Sequence, residues 1–522
     1  MSFNSDNEIM DQSLLTEQLA AELVNGQSKS IHPMRVCIAI AGGGSNSASA
    51  IASIPGASSL LLESIVAYDR RSFAEFVSQN INMEGQEPAE NGWLSELESM
   101  DSDENGTSGS GNSFHFCSAQ SAILLSRSAL HRSLKLSPSF QDRCLNCVGV
   151  GSASTLVGLP SSNSEVNERR RKRKSRAYVA CSTVREGTMV WELELDSDYH
   201  VDEEVQMQNR RTRSQEEAAV ANLILMAMLR RREISDKHVD TRYESVISKI
   251  LTREGDAMNE KWFGSIGNIT AAPTQSPADG ARRIINGESD IAVVLPVKGS
   301  DSSELVGQRA QSKLRMETLY ADIQIPFFSD VLIIPGSFNP PHIGHAQLAN
   351  AAVLALRRIR QLESSSTHSI RSMPSSLSSS SSIIDNIWST VETSNDQYDP
   401  TVLFEISVTN VDKPPIDPDE VERRLNLFLR LESTDLPKDW GVILTNAPLF
   451  SQKAVVLNNV IRDSRARRKM TFVIGTDTMV RIINPKYYGN SNTNMVAALE
   501  DMKEKGVHFI VGGRLEQGTQ DE

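Results

Sequence analysis

The stretch that decides the fold of the second half is VLIIPGSFNPPHIGH, residues 331–345. Its first four residues are apolar, as in strands buried on both faces of a parallel sheet, and a loop rich in proline and glycine follows directly. Beyond the loop, apolar residues recur at helical spacing, at Leu348, Ala352, Ala355 and Ile359. The segment predicts a strand, a tight loop and a helix whose N-terminus points at whatever lies over the carboxyl end of the strand.

The start of this helix carries residue types that suit an anion. The positive end of the helix dipole contributes only about 0.3–1 kcal/mol, so a polyphosphate needs further hydrogen-bond donors. His342 and His345 lie three residues apart and are expected to share one face of the helix. Gly344 between them lets the backbone approach a ligand closely. The pattern predicts a phosphate-binding loop with two imidazoles at its mouth, and ordinary helix-capping histidines are the alternative.

Three further blocks follow this loop in order: FEIS (404–407) with NVDKP (410–414), FVIGTD (472–477) and FIVGGR (509–514). Together with GSFNPPHIGH (336–345), they resemble the nucleotidylyltransferase superfamily, which includes nicotinamide-mononucleotide, nicotinate-mononucleotide and pantetheine-phosphate adenylyltransferases and the cytidylyltransferases. The GSFNP start is most similar to the nicotinamide/nicotinate-mononucleotide branch. The resemblance covers about residues 328–515 and implies a Rossmann-like α/β/α domain.

The resemblance assigns roles to residues of each block. It implies His342 and His345 as catalytic residues that hydrogen-bond the phosphates of ATP and stabilise the charge developing at the α-phosphorus. It implies nucleotide binding by Gly336, Ser337, Phe338, Asn339, Gly344, Gly475, Asp477 and Arg514, and acceptor binding by Asn410 and Lys413. It also implies Mg²⁺ as the cofactor that arrives with ATP, and no residue is assigned as a metal ligand.

The function implied by the resemblance is a nucleotidyltransferase of NAD biosynthesis. It would transfer AMP from ATP to the phosphate of nicotinamide or nicotinate mononucleotide and release pyrophosphate. Because the acceptor's phosphate is the nucleophile, no general base is required, and positioning with electrostatics supplies most of the rate. Two alternatives stay open: a cytidylyltransferase, and a nucleotide-binding regulatory protein without turnover. Residues 342–345 also match the HIGH box of class I aminoacyl-tRNA synthetases. Those enzymes need a Lys-Met-Ser-Lys-Ser-like loop downstream, and the nearest candidate here, RKMT (468–471), lacks the second lysine.

One departure from the family concerns the end of the domain. These enzymes close the site with an Ile-Ser-Ser-Thr-like turn and an Arg or Lys, downstream of the block that ends at Arg514. No such motif precedes Glu522, so we expect a C-terminally incomplete domain or a substitute segment. Each lost phosphate donor would lower the rate by about 10²–10³, so such a domain is expected to retain nucleotide binding where its turnover is impaired.

The front half carries a weaker set of motifs. IAIAGGGS (38–45), SIPGASS (53–59) and IVAY (65–68) resemble the C-terminal domain of the CinA family, which hydrolyses nicotinamide mononucleotide to the nicotinate form, over about residues 13–235. Ser58 and Tyr68 occupy matching positions, but Ile40-Ala41 and Phe73 stand where the family has a Glu-Ser pair and a lysine. A serine without a basic partner is poorly activated, so the resemblance implies a vestigial site on a scaffold or binding module, with an active deamidase left open. The glycine turn (42–44) is expected either to cradle a phosphate or to permit close packing.

The alternation of strand-like and helical segments indicates two α/β domains. Strands are predicted at Arg35–Ile40, Ser64–Tyr68, Cys147–Val150, Met189–Leu195, Val331–Ile334, Val402–Val408, Gly441–Thr445, Thr471–Ile474 and Val507–Val511. The expected division is a CinA-like domain (13–270), a linker with a connecting strand (271–327) and a nucleotidylyltransferase domain (328–522). Polar, serine-rich or charged stretches near 99–112, 161–175 and 364–382 are predicted to be inserted loops.

Composition limits the partners. The 522 residues are 39% hydrophobic, enough for real cores, and 53 basic against 66 acidic residues leave a formal charge of −13, so diffuse binding to nucleic acid or to an anionic membrane is not expected. The expected partners are ATP and a pyridine mononucleotide, and self-association through the CinA-like domain stays open. Five cysteines are too few for a disulfide scaffold, and no targeting signal or long apolar run is seen, so the predicted location is cytoplasmic. The basic run 169–174 leaves nuclear import open, although a solvated hairpin tip is the preferred interpretation.

Overall fold

The structure is a computed structural model. It describes residues 3–80, 115–157, 174–196, 211–236, 242–253, 255–263, 276–298, 314–320, 330–370, 399–409, 414–432, 434–461 and 470–513. The chain forms two compact units, the first made of Met1–Ser137 with Asp142–Ala271 and the second of Pro138–Gln141 with Ala272–Glu522. Both are built of helices and a mixed sheet, which confirms the predicted fold class of two α/β domains.

The elements are numbered here along the chain. The strands are β1 (Arg35–Ala41), β2 (Leu61–Val66), β3 (Cys147–Thr155), β4 (Ser175–Thr183), β5 (Gly187–Leu195), β6 (Ala257–Phe263), β7 (Ile291–Lys298), β8 (Leu314–Tyr320), β9 (Val331–Pro335), β10 (Thr401–Ser407), β11 (Trp440–Thr445), β12 (Met470–Gly475) and β13 (Val507–Gly512). The helices are α1 (Phe3–Asn25), α2 (Asn46–Ala52), α3 (Arg70–Asn80), α4 (Ala119–Leu136), α5 (Phe140–Leu145), α6 (Arg213–Asp236), α7 (Arg242–Ile250), α8 (Pro277–Ile285), α9 (Ile343–Ile370), α10 (Pro418–Phe428), α11 (Phe450–Ile461), α12 (Thr476–Ile482) and α13 (Asn492–Glu504). Single 3-10 turns lie at Ala57–Ser59 and Pro485–Tyr488.

The first unit has a six-stranded sheet in the order β2-β1-β3-β4-β5-β6. β1 is parallel to β2 and β3, and the remaining pairs are antiparallel. Alternate residues of β1 point to opposite faces: Ile38 packs in a core with α1 and α6, whereas Ala39 packs in a core with α3 and α4. Because helices cover both faces, the middle of β1 is a continuous apolar run.

The second unit has a seven-stranded sheet in the order β13-β12-β9-β10-β11-β7-β8. The five strands from β9 to β13 are parallel, while β7 is antiparallel to β11 and β8 to β7. Numbered along the chain, the parallel strands lie in the doubly wound order 3-2-1-4-5. β9 is central: the chain adds β10 and β11 on one side and then crosses to add β12 and β13 on the other. This reversal puts a topological switch point beside the carboxyl end of β9.

Helices cover both faces of the parallel strands. On one face, α8, α9 and α10 share a core with Leu332 and Ile334 of β9. On the other face, Phe450 of α11 packs edge-on against Phe472 of β12, with ring centroids 5.3 Å apart. Residues 331–334 are at most 2% exposed, which is why this strand is apolar throughout.

The segment predicted as a linker with a connecting strand (271–327) has described parts that belong to the second unit. Its described parts form α8 and the antiparallel pair β7–β8, which widen the second sheet beyond β11. β7 is buried because it has a strand on each side, and Val293 and Val294 are fully inaccessible. The stretch of Pro, Gly and Ala that suggested a linker instead starts a helix: Ser276 and Asp279 form a capping box around Pro277.

Two of the predicted loops differ from expectation at one of their bounds. α9 continues through residues 364–370, so the beginning of the serine-rich insertion is helical, and 371–382 lies outside the described residues. Ser175 is the first residue of β4 rather than the end of a loop, and it is anchored by a hydrogen bond from its hydroxyl to Glu216 Oε2 at 2.9 Å. Residues 99–112, 161–173 and the basic run up to Arg173 also lie outside the described residues. None of the described helices combines the length and the apolar composition that a membrane-spanning helix requires.

Candidate functional site

The candidate site lies at the carboxyl edge of the parallel strands in the second unit. β9, β10, β11, β12 and β13 all end at this edge, because each is parallel to its neighbour. The loop after β9 and the turn that starts α12 after β12 are therefore adjacent, since β12 pairs directly with β9. Ligands of doubly wound sheets bind at such a switch point.

The ring of Phe338 packs beneath the backbone of the loop after β9. This residue has φ +44°, a left-handed conformation that costs a non-glycine residue free energy, and its side chain is only 1% exposed. The ring packs against Phe404 and Phe428, with centroid distances of 5.6 and 5.2 Å. A Cβ on Gly336 would lie 2.8 Å from Phe338 Cζ, so the backbone at Gly336 lies directly on the ring. Packing of Phe338 in the core holds the loop in its strained form.

His342 and His345 come together at the start of α9. Their ring centroids are 3.8 Å apart and their planes are inclined by 33°. The backbone N–H of His342 donates to Nδ1 of His345 at 3.2 Å, and the His345 ring also packs edge-on against Phe338 at 4.9 Å. A Cβ on Gly344 would approach the His342 ring to 3.1 Å, so a glycine here leaves room for that ring. The structure thus brings the two histidine rings together at the start of α9, as their spacing predicted.

The protonation of His345 follows from these contacts. Burial, and then the charge of His342, lower the pKa of His345 to about 4. The ring is therefore neutral at pH 7, and because Nδ1 accepts a hydrogen bond, its proton is on Nε2. His345 thus offers a neutral N–H donor at the mouth of the loop, while His342 is exposed to solvent.

Two arginines of α10 bind the loop, although no sequence motif indicated them. Arg424 Nη1 donates to the carbonyl oxygen of Ser337 at 3.1 Å, and Arg423 Nη2 donates to Asn339 Oδ1 at 2.7 Å. Glu420, one turn earlier, accepts from both arginines at 2.6–2.8 Å. The spacing of Glu420 to the arginines, i+3 and i+4, predicts ion pairs on one helix face. Nothing in that spacing indicates that the arginines reach a loop more than 80 residues earlier.

A buried ion pair lies beneath the same loop. The backbone oxygen of Glu405 accepts from Gly336 N–H at 2.9 Å. Its carboxylate Oε1 accepts from Lys453 Nζ and from the Thr445 hydroxyl, each at 2.5 Å. The side chains of Glu405 and Lys453 are 1% and 5% exposed. Glu405 belongs to the FEIS block, so the sequence pointed to the block, but its pairing with Lys453 was missed.

The β12 side of the edge carries Asp477. Gly475 precedes the first turn of α12, in which Asp477 is exposed, and Thr476 Oγ1 donates to the carbonyl oxygen of Gly512 at 3.4 Å. The structure therefore brings Asp477 to the same sheet edge as His342 and His345. Asn410, Lys413 and Arg514 lie outside the described residues, and their roles stay predictions.

The predicted magnesium ion, which would arrive with a nucleotide, can be compared with the carboxylates of this edge. Among them, no group of three or more His, Cys, Asp or Glu side chains could hold a metal by itself. Mg²⁺ commonly binds through one or two carboxylates together with substrate phosphates and water. Asp477 is an exposed carboxylate at this edge.

The predicted vestigial residues of the first unit lie on its surface. Ser58 is exposed in the turn Ala57–Ser59, and among the described residues none forms a hydrogen bond with its hydroxyl. Tyr68 is 63% exposed, and its hydroxyl accepts from Arg213 Nη2 at 2.9 Å. Phe73, which stands where the family has a lysine, is buried in the core with α4. Within the described residues, no base is therefore hydrogen-bonded to Ser58.

The glycine turn of the first unit is filled by a carboxylate of the same chain. Gly44 N–H donates to Glu217 Oε2 at 2.7 Å, and Ser45 Oγ and Asn46 N–H donate to Glu217 Oε1 at 3.0 and 3.3 Å. A Cβ on Gly43 would lie 2.4 Å from Leu156 Cδ1. The turn thus packs closely against its surroundings, and a phosphate would have to displace Glu217 from these donors.

Comparisons with known proteins find little. No protein-family model matches the chain, and no curated protein matches it. Among solved structures, the crystal structure of competence/damage inducible protein CihA from Agrobacterium tumefaciens is similar, with 16% identity and a TM-score of 0.26. The match covers 42% of this chain and 96% of that chain.

Proposed function

We propose that the second unit transfers AMP from ATP to the phosphate of a pyridine mononucleotide, nicotinamide or nicotinate mononucleotide, with release of pyrophosphate. The observation that carries the proposal is the pair His342 and His345 at the switch point, with the neutral Nε2–H of His345 at the mouth of the loop. The loop, the two histidines and Asp477 lie on one sheet edge, as the resemblance to nucleotidylyltransferases implies.

The chemistry requires few participating groups. An oxygen of the acceptor's phosphate attacks the α-phosphorus of ATP, and the bond from that phosphorus to the bridging oxygen of pyrophosphate breaks. His345 Nε2–H and His342 stabilise the charge that moves onto the phosphates, and no residue has to remove a proton. His345 performs this as a neutral donor, which suits a group that must hold a hydrogen bond without losing its proton.

The chain's other residues position the loop. Phe338 supports it from below, Arg424 holds it at Ser337, and Gly336 is tied to the backbone of Glu405. A loop held at three points keeps its donors in place before the substrate binds, and such preorganisation is a major source of rate. When bound with ATP, Mg²⁺ would neutralise phosphate charge and favour departure of pyrophosphate, and Asp477 would help to hold it.

The proposal is tested on the full chain with MgATP and each mononucleotide, by following pyrophosphate release and dinucleotide formation. His345→Ala is expected to lower kcat by about 10²–10³, the usual effect of removing one charge-stabilising donor. The matched control is His508→Ala. His508 is exposed near the start of β13, at the amino ends of the parallel strands and so away from the candidate site. This substitution should leave the rate unchanged.

Three outcomes would contradict the proposal. A rate unchanged by His345→Ala would remove the role of that histidine. A preference for CTP over ATP would replace the adenylyl donor by a cytidylyl donor. Binding of ATP without release of pyrophosphate with either mononucleotide would replace catalysis by nucleotide binding alone.

A further inference from the structure

The loop after β9 lacks a permanent positive charge. Residues 335–345 contain no lysine or arginine, and His345 is neutral at pH 7. The two substrates of the proposed reaction both carry phosphate groups, and phosphate monoesters bind best to planar, charge-assisted donors such as arginine. A cationic side chain that binds these phosphates beside Mg²⁺ would therefore come from another element.

Within the described part of the chain, the arginines that contact this loop are Arg423 and Arg424 of α10. Arg424 is committed to the protein itself: its side chain is 13% exposed and binds Glu420 and the backbone of Ser337. Arg423 is different, because its side chain is 52% exposed and its contact with the loop is to the side chain of Asn339. Its Nε and Nη2 are used in these contacts, and Nη1 has no acceptor among the described residues.

Glu420 holds Arg423 ready for a ligand. It accepts from Nε and Nη2 of Arg423 on one edge of the guanidinium, at 2.6 and 2.8 Å, which leaves Nη1 directed away from the carboxylate. The hydrogen bonds from the two arginines lower the pKa of Glu420 to about 2, so it stays ionised near neutral pH. Two arginines share this one carboxylate, so the cluster keeps a net positive charge beside the loop.

The position of α10 in the sheet order indicates which of the two substrates lies near Arg423. α10 follows β10, which lies on one side of β9, whereas β12 and Asp477 lie on the other side. The proposed function places the nucleotide and its Mg²⁺ on the β12 side. The two substrates must meet at the histidine pair, so the acceptor has to approach from the β10 side, where Arg423 contacts the loop.

We infer that Arg423, held by Glu420 and Asn339, binds the phosphate monoester of the acceptor and presents it to the α-phosphorus of ATP. This inference rests on the proposed function and adds to it a residue that recognises the nucleophile. Arg423 is a binding residue, and Arg424 is a positioning residue that acts through the loop.

The test measures the KM of the full chain for nicotinamide mononucleotide at saturating MgATP, and the KM for ATP at saturating mononucleotide. Arg423→Gln is expected to raise the KM for the mononucleotide about tenfold or more, with kcat and the KM for ATP little changed, because it removes charge-assisted hydrogen bonds made equally in ground and transition states. Arg423→Lys should recover part of the loss, since it keeps the charge and loses the planar donors.

The matched control is Arg282→Gln. Arg282 of α8 is 51% exposed and pairs with Asp279 three residues earlier, as Arg423 pairs with Glu420, but its described contacts do not include the loop. Thermal unfolding of each variant verifies that it folds. Equal KM values for Arg423→Gln and Arg282→Gln would overturn the inference, and so would an increase in the KM for ATP that matches or exceeds the increase for the mononucleotide.

Calorimetric titration with nicotinamide mononucleotide separates this inference from the proposed function. If the wild-type chain releases no pyrophosphate, the proposed catalysis fails, and the titration still decides the role of Arg423. Binding by the wild type that is weakened in Arg423→Gln and retained in Arg282→Gln supports the inference. Binding that is equal in the three proteins, or absent from the wild type, overturns it.

Discussion

His345 illustrates how surroundings set the chemistry of one side chain. Its ring lies between Phe338 and His342, and the backbone N–H of His342 occupies its Nδ1. These contacts favour the neutral ring and direct its proton to Nε2. The sequence predicted that His342 and His345 share a face, but their protonation depends on burial that no local pattern reveals.

We expect the stability contributed by His345 to fall as the pH drops from about 6.5 to about 4. The pKa of His345 is lowered to about 4 in the folded chain by burial and by His342, against about 6.5 in the unfolded chain. Between these values the unfolded chain binds a proton that the folded chain does not, so acid favours unfolding. Thermal unfolding across this pH range should show a steeper fall in Tm for the wild type than for His345→Gln.

His508→Gln is the control for this pH dependence, because His508 is exposed on β13. Its Tm should follow that of the wild type at every pH. Parallel curves for the wild type and His345→Gln would show that the folded and unfolded chains bind the same number of protons at this histidine.

Glu405 and Lys453 show that a buried charge is tolerated only with its partner. Lys453→Met leaves the Glu405 carboxylate buried with one remaining donor, the Thr445 hydroxyl, and is expected to lower the free energy of unfolding by about 3–5 kcal/mol. Glu405→Gln combined with Lys453→Met removes both charges and should recover most of this loss. Urea unfolding of the wild type, the single variants and the double variant measures the coupling. Additive effects of the two substitutions would refute the role of the pair.

At the scale of elements, the loop between β9 and α9 is shaped by what lies beneath it. The strand and the start of the helix were predicted close to their observed positions, because apolar period and proline are local signals, whereas α9 continues into the predicted serine-rich loop. The left-handed backbone of Phe338 was not predicted, since its cause is the packing of its ring against Phe404 and Phe428, residues far away in the sequence.

Gly336→Ala is expected to destabilise the second unit by about 1–3 kcal/mol, the usual range for overpacking. The added methyl carbon would lie 2.8 Å from Phe338 Cζ, and the ring cannot move freely because it is fully buried. Gly513→Ala is the control, because a Cβ there meets no described atom within 4 Å. Thermal and urea unfolding compare the two. Gly336→Ala combined with Phe338→Leu should cost less than the sum of the single changes, and additivity would argue against a clash at this position.

The other elements show the same division between local and distant causes. The strand predicted at Ser64–Tyr68 is observed as β2 at Leu61–Val66, a shift of a few residues that leaves Tyr68 in the following loop. β7 was assigned to the linker with its connecting strand, because nothing in its apolar run identifies the strands with which it pairs. Its partner β11 begins more than 140 residues later, so the pairing is visible only in the folded chain.

At the scale of the whole molecule, each of the two units has its own sheet and its own core. In the first unit, Glu217 fills the glycine turn, and the Ser58 hydroxyl has no hydrogen-bond partner among the described residues, while scaffold and active deamidase both stay predictions. In the second unit, the doubly wound strand order leaves a switch point at the end of β9. The chemistry proposed above concerns the site at this switch point.

The amino-acid sequence by itself determined the apolar strand, the Gly-Pro loop and the helix with its two histidines, since each depends on residues within a few positions of one another. It also indicated two α/β domains. Only the tertiary structure decided the neutral state of His345, the contacts of Arg423 and Arg424 with the loop, the pair of Glu405 with Lys453, and the place of β7 in the sheet. Each of these needs residues from distant parts of the chain to meet in a buried or partly buried place, where the loss of water changes their energies.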